Sequence, residues 1–133
     1  MADAEMPVGI MPVGIILFAH GSRDPSWAMP MRSLAERIER SAPGTPIRLA
    51  FLESMSPDLE GAIGEMIAMG IASIRVAPLF LGQGIHMRRD LGVKTAEVRQ
   101  AHPELRIEIL PSVGEAEPVL EAMAAWIDRK SVV

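Results

Sequence analysis

The sequence predicts an α/β open sandwich, in which a four-stranded parallel sheet carries helices on both faces. Three observations support this prediction. Short apolar runs of strand length alternate four times with segments whose apolar residues recur at helical spacing. Glycine and proline clusters separate these segments. Most of the runs are almost wholly apolar, as strands buried on both faces are, and this is typical of parallel sheets covered by crossover helices.

The strands are predicted from the apolar runs. In chain order they span 14–19, 47–52, 74–81 and 105–110. The first, with the sequence GIILFA, contains no polar side chain. The fourth alternates apolar with charged residues, which indicates a strand at the edge of the sheet.

A helix is predicted after each strand. The four helices span 27–38, 57–69, 87–101 and 115–129. The second has Ser56 as its expected N-cap and Pro57 at its first helical position. This alternation implies right-handed crossovers and a flavodoxin-like arrangement of the strands. In such sheets ligands bind beyond the carboxyl ends of the strands, so the residues at those ends are the candidates for function.

Length and composition narrow the classes of protein. The 133 residues suit one domain, predicted at 14–130, after a flexible lead at 1–13 in which the sequence MPVGI begins its duplication. There is no cysteine, so a metal ion would be bound by nitrogen or oxygen. The net charge of −4, without a basic stripe, argues against nucleic acid as a partner. Since no segment resembles a secretory signal or a membrane span, we expect a cytoplasmic protein with no membrane partner.

Residues capable of chemistry collect at three predicted strand ends. His20 follows the first strand, Glu53 the second, and His86 ends the loop after the third. If the first and third strands are neighbours, both imidazoles and the carboxylate face one pocket. These ligands suit cobalt, nickel, iron or zinc, and neutral imidazole also accepts protons. Histidines at helix ends are more often structural, and His102 fits that interpretation.

Three segments carry a resemblance to a known family. AHGSRDP at 19–25, FLESMSPDL at 51–59 and PLFLGQGIHMRRDL at 78–91 resemble the short sirohydrochlorin cobaltochelatases of the class II chelatase family. The resemblance extends over residues 14–127. It implies a chelatase-like fold, a homodimer, and a lyase of cobalamin biosynthesis that acts on the tetrapyrrole sirohydrochlorin. The divalent metal ion is then a substrate, with cobalt favoured over iron or nickel, and no organic cofactor is expected.

The resemblance also implies roles for particular residues. His20 and His86 match the two histidines that handle the metal in that family, and Glu53 matches a glutamate associated with the same site. One of these three residues would accept the two pyrrole protons. The arginines would pair with the carboxylates of the tetrapyrrole. The predicted substrate-binding residues are Gly21, Ser22, Arg23, Gly82, Gly84, Arg88 and Arg89.

Other functions are compatible with the same residues. A sirohydrochlorin ferrochelatase or nickel chelatase would use the same ligands. A carrier of metal or tetrapyrrole would hold its cargo there without catalysis. His20, Gly21 and Arg23 also suggest phosphoryl chemistry through a phosphohistidine, but Ala19 stands where an arginine usually precedes that histidine.

Overall fold

One parallel sheet organises the chain in the computed structural model, which describes residues 13–129. Its strands are β1 (Gly14–Ala19), β2 (Ile47–Phe51), β3 (Ser73–Pro78) and β4 (Arg106–Ile109). Their order across the sheet is β2-β1-β3-β4, and each neighbouring pair is parallel. The predicted adjacency of the first and third strands is therefore confirmed. The predicted lead at 1–13 lies outside the described residues, apart from Val13.

The helices are α1 (Met29–Ser41), α2 (Leu59–Ala68), α3 (Ile85–Ala101) and α4 (Glu117–Ile127). Two 3-10 helices, Pro25–Ala28 and Val113–Glu115, precede α1 and α4. Within the described part of the chain, no helix combines the length and the apolar character that crossing a bilayer requires.

The two faces of the sheet are packed by different helices. Ile16 and Phe18 of β1 belong to the core cluster that contains the buried apolar residues of α2 and α3. Ala19, the next residue, belongs to a smaller cluster on the opposite face with Phe51 and Ala28. Because successive side chains of a strand point to opposite faces, helices cover both sides, as the open sandwich requires.

Several predicted boundaries were wrong. The helix expected at Pro57 begins at Leu59, because the carboxylate of Asp58 is the cap that accepts a hydrogen bond from the Gly61 N–H at 2.8 Å. Pro57 is still tied to the strand, since its carbonyl accepts from the Phe51 N–H at 2.9 Å. The third strand ends three residues before the apolar run does, and Leu81 is 74% exposed.

Candidate functional site

His20 and Glu53 meet at the carboxyl ends of β1 and β2. The pairing of these strands continues one step beyond them, because the Glu53 N–H donates to the His20 carbonyl at 3.0 Å. This brings the Nε2 atom of His20 to 3.8 Å from the Oε2 atom of Glu53. The two side chains are 57% and 61% exposed, so the pair faces solvent. An imidazole and a carboxylate are thus presented together at an open edge of the sheet.

The turn after His20 depends on a glycine. Gly21 has a φ of 97°, in the left-handed region that side chains with a Cβ rarely adopt. A Cβ at this position would also overlap the carbonyl oxygen of Glu53. Ser54, the residue that follows Glu53, also has a left-handed backbone conformation, with a φ of 68°. Gly21 therefore permits the close approach of the His20 and Glu53 backbones.

A short hydrogen-bond network orders the residues that follow. The Ser22 hydroxyl oxygen accepts from the Asp24 N–H at 3.1 Å. The Asp24 carboxylate accepts from the Ser26 hydroxyl at 2.8 Å and from the Ser26 N–H at 3.0 Å. These two bonds lower the pKa of Asp24 from its ordinary value of 3.8. Arg23, between the ordered residues, is exposed to solvent.

His86 lies in the first turn of α3, not in a loop as the sequence had indicated. The helix begins at Ile85 with Gly84 as its N-cap, two residues earlier than predicted. The preceding turn leaves the sheet at the same edge as His20, since the Leu79 N–H donates to the Phe18 carbonyl at 2.7 Å. Yet no set of three histidine, aspartate or glutamate side chains between residues 13 and 129 forms a metal-holding group. The structure joins His20 to Glu53 and does not add His86 to them.

The predicted arginines and glycines near His86 differ in their surroundings. The Arg88 Nη2 atom lies 2.7 Å from the Glu115 Oε2 atom in an ion pair, whereas Arg89 is simply exposed. A Cβ on Gly82 or Gly84 would meet no described atom within 4 Å. Packing therefore does not require glycine at either position.

The sequence did not indicate the segment that holds this turn in place. It is the second 3-10 helix, in which the Gly114 N–H donates to the Phe80 carbonyl at 3.0 Å. A Cβ on Gly114 would overlap the backbone of Leu81. Together with the ion pair from Glu115 to Arg88, these contacts clamp the start of α3. In the sequence, residues 111–114 lie between the predicted fourth strand and the predicted last helix, and no motif there indicated this contact.

Comparison with known proteins supplies the family. The model of the CbiX family matches residues 14–130. The chain belongs to the CbiX family. A sirohydrochlorin cobaltochelatase of Saccharolobus solfataricus is 31% identical over 123 residues, which are 88% of this chain and 94% of that protein. A sirohydrochlorin cobaltochelatase of Methanothermobacter thermautotrophicus is 34% identical over 79 residues. That match covers 59% of this chain and about half (54%) of the length of that relative.

Two solved structures share the fold of this chain. A protein named as a cobalamin (vitamin B12) biosynthesis CbiX protein, from Marinobacter aquaeolei VT8, superposes with a TM-score of 0.73. It is 28% identical, and the match covers 87% of this chain and 94% of the other. The sirohydrochlorin chelatase SirB from Bacillus subtilis subspecies spizizenii, in complex with cobalt, gives a TM-score of 0.67 at 24% identity over 88% of this chain and 50% of its own. These matches confirm the chelatase-like α/β fold.

Proposed function

We propose that this CbiX protein inserts a divalent metal ion, with cobalt favoured, into sirohydrochlorin. The observation that carries the proposal is the exposed pair of His20 and Glu53, 3.8 Å apart at the edge of the sheet where this fold binds ligands. Relatives of the chain are named sirohydrochlorin cobaltochelatase, and the SirB structure was solved with cobalt. An imidazole and a carboxylate are ligands that Co²⁺ accepts.

The reaction requires the ion to enter the ring as two pyrrole protons leave it. The neutral imidazole of His20 donates a lone pair to the ion, and the Glu53 carboxylate offsets part of its charge. Water molecules on the ion are replaced in turn by these side chains and then by the ring nitrogens. Because both side chains are more than half exposed, a flat macrocycle can approach the ion from the solvent side.

The protons need acceptors at the same edge of the sheet. We assign this role to His86, which lies in the exposed first turn of α3. The second acceptor is His20 or Glu53, which the metal ion releases when it enters the ring. Arg23 and Arg89, both exposed, would form charge-assisted hydrogen bonds with the carboxylates of the ring. Arg88 is less available because it is paired with Glu115.

We further propose that the protein is a cytoplasmic homodimer that needs no organic cofactor. The exposed apolar surface supports the dimer: α1 and α4 contribute no fully buried side chain, and Trp126 and Ile127 are 71% and 73% exposed. A second copy covering such a surface would gain free energy roughly in proportion to the apolar area removed from water. The lack of cysteine agrees with a reducing compartment.

An anaerobic insertion assay tests the function. Purified protein, Co²⁺ and sirohydrochlorin are mixed, and formation of the metallated ring is followed by its absorption spectrum. We expect the His20→Ala and His86→Ala variants to lose at least ~100-fold in rate, as the loss of a general acid or base commonly does. Glu53→Gln, which keeps the shape but removes the charge, should lose ~10-fold to 100-fold.

His102→Ala is the matched control, because His102 follows the last turn of α3, at the opposite end of the helix from His86. It should insert cobalt at the wild-type rate. An unchanged rate for His20→Ala would contradict the assignment of the metal site. Binding of both substrates with no acceleration over the spontaneous reaction would instead identify a carrier. Repeating the assay with Fe²⁺ and Ni²⁺ determines whether cobalt is preferred.

A further inference from the structure

A cleft of about 510 Å³ lies between α3 and the segment after β4. Leu91 and Thr95 line it from the helix, and Ile109 and Ser112 line it from the other side. Neither His20 nor Glu53 is among its lining residues, so it is separate from the pair at the ends of β1 and β2. Its volume falls in the range of ~300–1,000 Å³ that is usual for sites of organic ligands.

The charge lining this cleft is positive, although the protein as a whole is acidic. Arg88 and Arg99 contribute two guanidinium groups, and Glu115 contributes one carboxylate. The Arg99 Nη2 atom donates to the Ile107 carbonyl at 2.6 Å, which fixes the side chain against β4. A guanidinium has five N–H donors, so others are free for a ligand. A negatively charged ligand is therefore favoured.

Ser112 is the residue in the cleft that lacks a partner. It is fully buried, and its hydroxyl forms no hydrogen bond with any described residue. The neighbouring Thr95 is different, because its hydroxyl donates to the Leu91 carbonyl at 2.6 Å. An unpaired buried hydroxyl is costly, and its presence in a native structure calls for a partner.

We propose that this cleft is a binding site for an organic anion that carries a carboxylate. The carboxylate accepts hydrogen bonds from the Ser112 hydroxyl and from free N–H groups of Arg99, while the carbon skeleton packs on Leu91 and Ile109. Both apolar and polar lining residues are then used. The charge of the ligand offsets the excess of guanidinium groups.

The position of the cleft indicates where the carboxylate comes from. Gln83 and Arg88, which line the cleft, flank His86 in the chain. We therefore assign the cleft to one of the carboxylate arms of the tetrapyrrole. This assignment of the source rests on the proposed function, whereas the carboxylate site itself does not.

Metal-free binding measurements test the site independently of insertion. Succinate is titrated into the wild-type protein, with uncharged succinamide as the control ligand, and binding is followed by amide chemical shifts and by the rise in melting temperature. We expect binding of succinate only. Ser112→Ala and Arg99→Gln should each weaken it by about tenfold, the effect of losing one hydrogen bond to a charged group. Arg40→Gln, an exposed arginine of α1, should bind succinate as the wild type does.

Ser112→Ala removes an unpaired hydroxyl, so the melting temperature of the unliganded protein should be unchanged or higher. Weaker binding by this variant therefore does not reflect a loss of folding. Equal binding of succinate by wild type and both variants, or none by the wild type, would overturn the site. The source is tested by titrating sirohydrochlorin without metal. Tenfold weaker binding of the ring to Ser112→Ala supports the assignment of the cleft to a carboxylate arm of the tetrapyrrole. If Ser112→Ala bound the ring unchanged but bound succinate more weakly, the assignment of the cleft to a tetrapyrrole arm would be wrong. The cleft would then be a site for a free carboxylate, whatever the outcome of the insertion assay.

Discussion

The two segments that carry the histidines each depend on a glycine that lets another part of the backbone approach closely, but the glycine comes from a different part of the chain in each case. At His20 the glycine that admits a neighbouring carbonyl oxygen is Gly21, the next residue. At His86 the equivalent glycine is Gly114, which belongs to a 3-10 helix far along the sequence and packs on Leu81. The first segment is therefore organised by the sheet itself, and the second by a later piece of chain that must dock on it.

The two glycines also differ in what they demand. Gly21 combines a left-handed φ of 97° with a lack of space for a Cβ, whereas Gly114 lacks only the space. A side chain at Gly21 would have to overcome two separate penalties. Positions with similar packing therefore need not be equally sensitive to substitution.

The largest effect is expected for Gly21→Ala. Left-handed strain of about 1–2 kcal/mol and an overlap costing about 1–3 kcal/mol should together reduce the free energy of unfolding by roughly 2–5 kcal/mol. Urea denaturation measures it. The control is Gly64→Ala in α2, where a Cβ would meet no described atom within 4 Å and helix propensity should increase stability by about 0.5–1 kcal/mol. A Gly21→Ala variant as stable as wild type would refute the two-penalty account.

Gly114→Ala should have the second largest effect. Only the overlap with Leu81 applies, so the loss is about 1–3 kcal/mol. Because the clamp lies against the turn that precedes His86, the rate of metal insertion should fall as well, under conditions where the variant is still fully folded. Urea denaturation and the insertion assay give the two values. If stability fell while the rate per folded molecule stayed at the wild-type level, the clamp would have no part in positioning His86.

Glu115→Gln removes the second contact of the clamp and should cost less. The ion pair with Arg88 is exposed, at 59% and 39% of its side chains, so we expect a loss of about 0.2–1 kcal/mol. The loss should shrink at ~1 M salt, where charges are screened over ~3 Å. Glu108→Gln breaks the exposed ion pair between Glu108 and Arg75 on the sheet. It is the matched control for the measurement of the free energy of unfolding. A loss that is independent of salt would mean that packing, not charge, holds Glu115.

The smallest effect is expected for Asp24→Asn, beside the His20 turn. Folding lowers the pKa of Asp24 below its ordinary 3.8, so the ionised carboxylate stabilises the folded state above that pH. This contribution is lost as the pH falls through the folded-state pKa. The difference in unfolding free energy between wild type and variant should thus be constant near neutrality and vanish in acid, as followed by denaturation at a series of pH values. A difference that persists in acid would assign the effect to the shape of the side chain instead of its charge.

Much of the fold follows from local patterns. β1 has the predicted bounds, because a wholly apolar run ended by histidine and glycine has few alternatives. The start of α2 was misplaced because Ser56 and Asp58 are both good caps, and the hydrogen bond from Phe51 to Pro57 selects the second. The approach of His20 to Glu53 was also predictable, since parallel strands of known order end at one edge.

By itself, the sequence determined the alternation of strands and helices, the family, and the placing of His20 and Glu53 at neighbouring strand ends. Each of these depends on periodicity or on short motifs, which are local properties of the chain. Only the tertiary structure decided that Gly114 packs on Leu81, that Glu115 neutralises Arg88, and that Ser112 is buried in a cleft without a partner. The contacts of Gly114 and Glu115 join residues about thirty positions apart, and such pairs form only because the sheet brings the ends of β3 and β4 side by side.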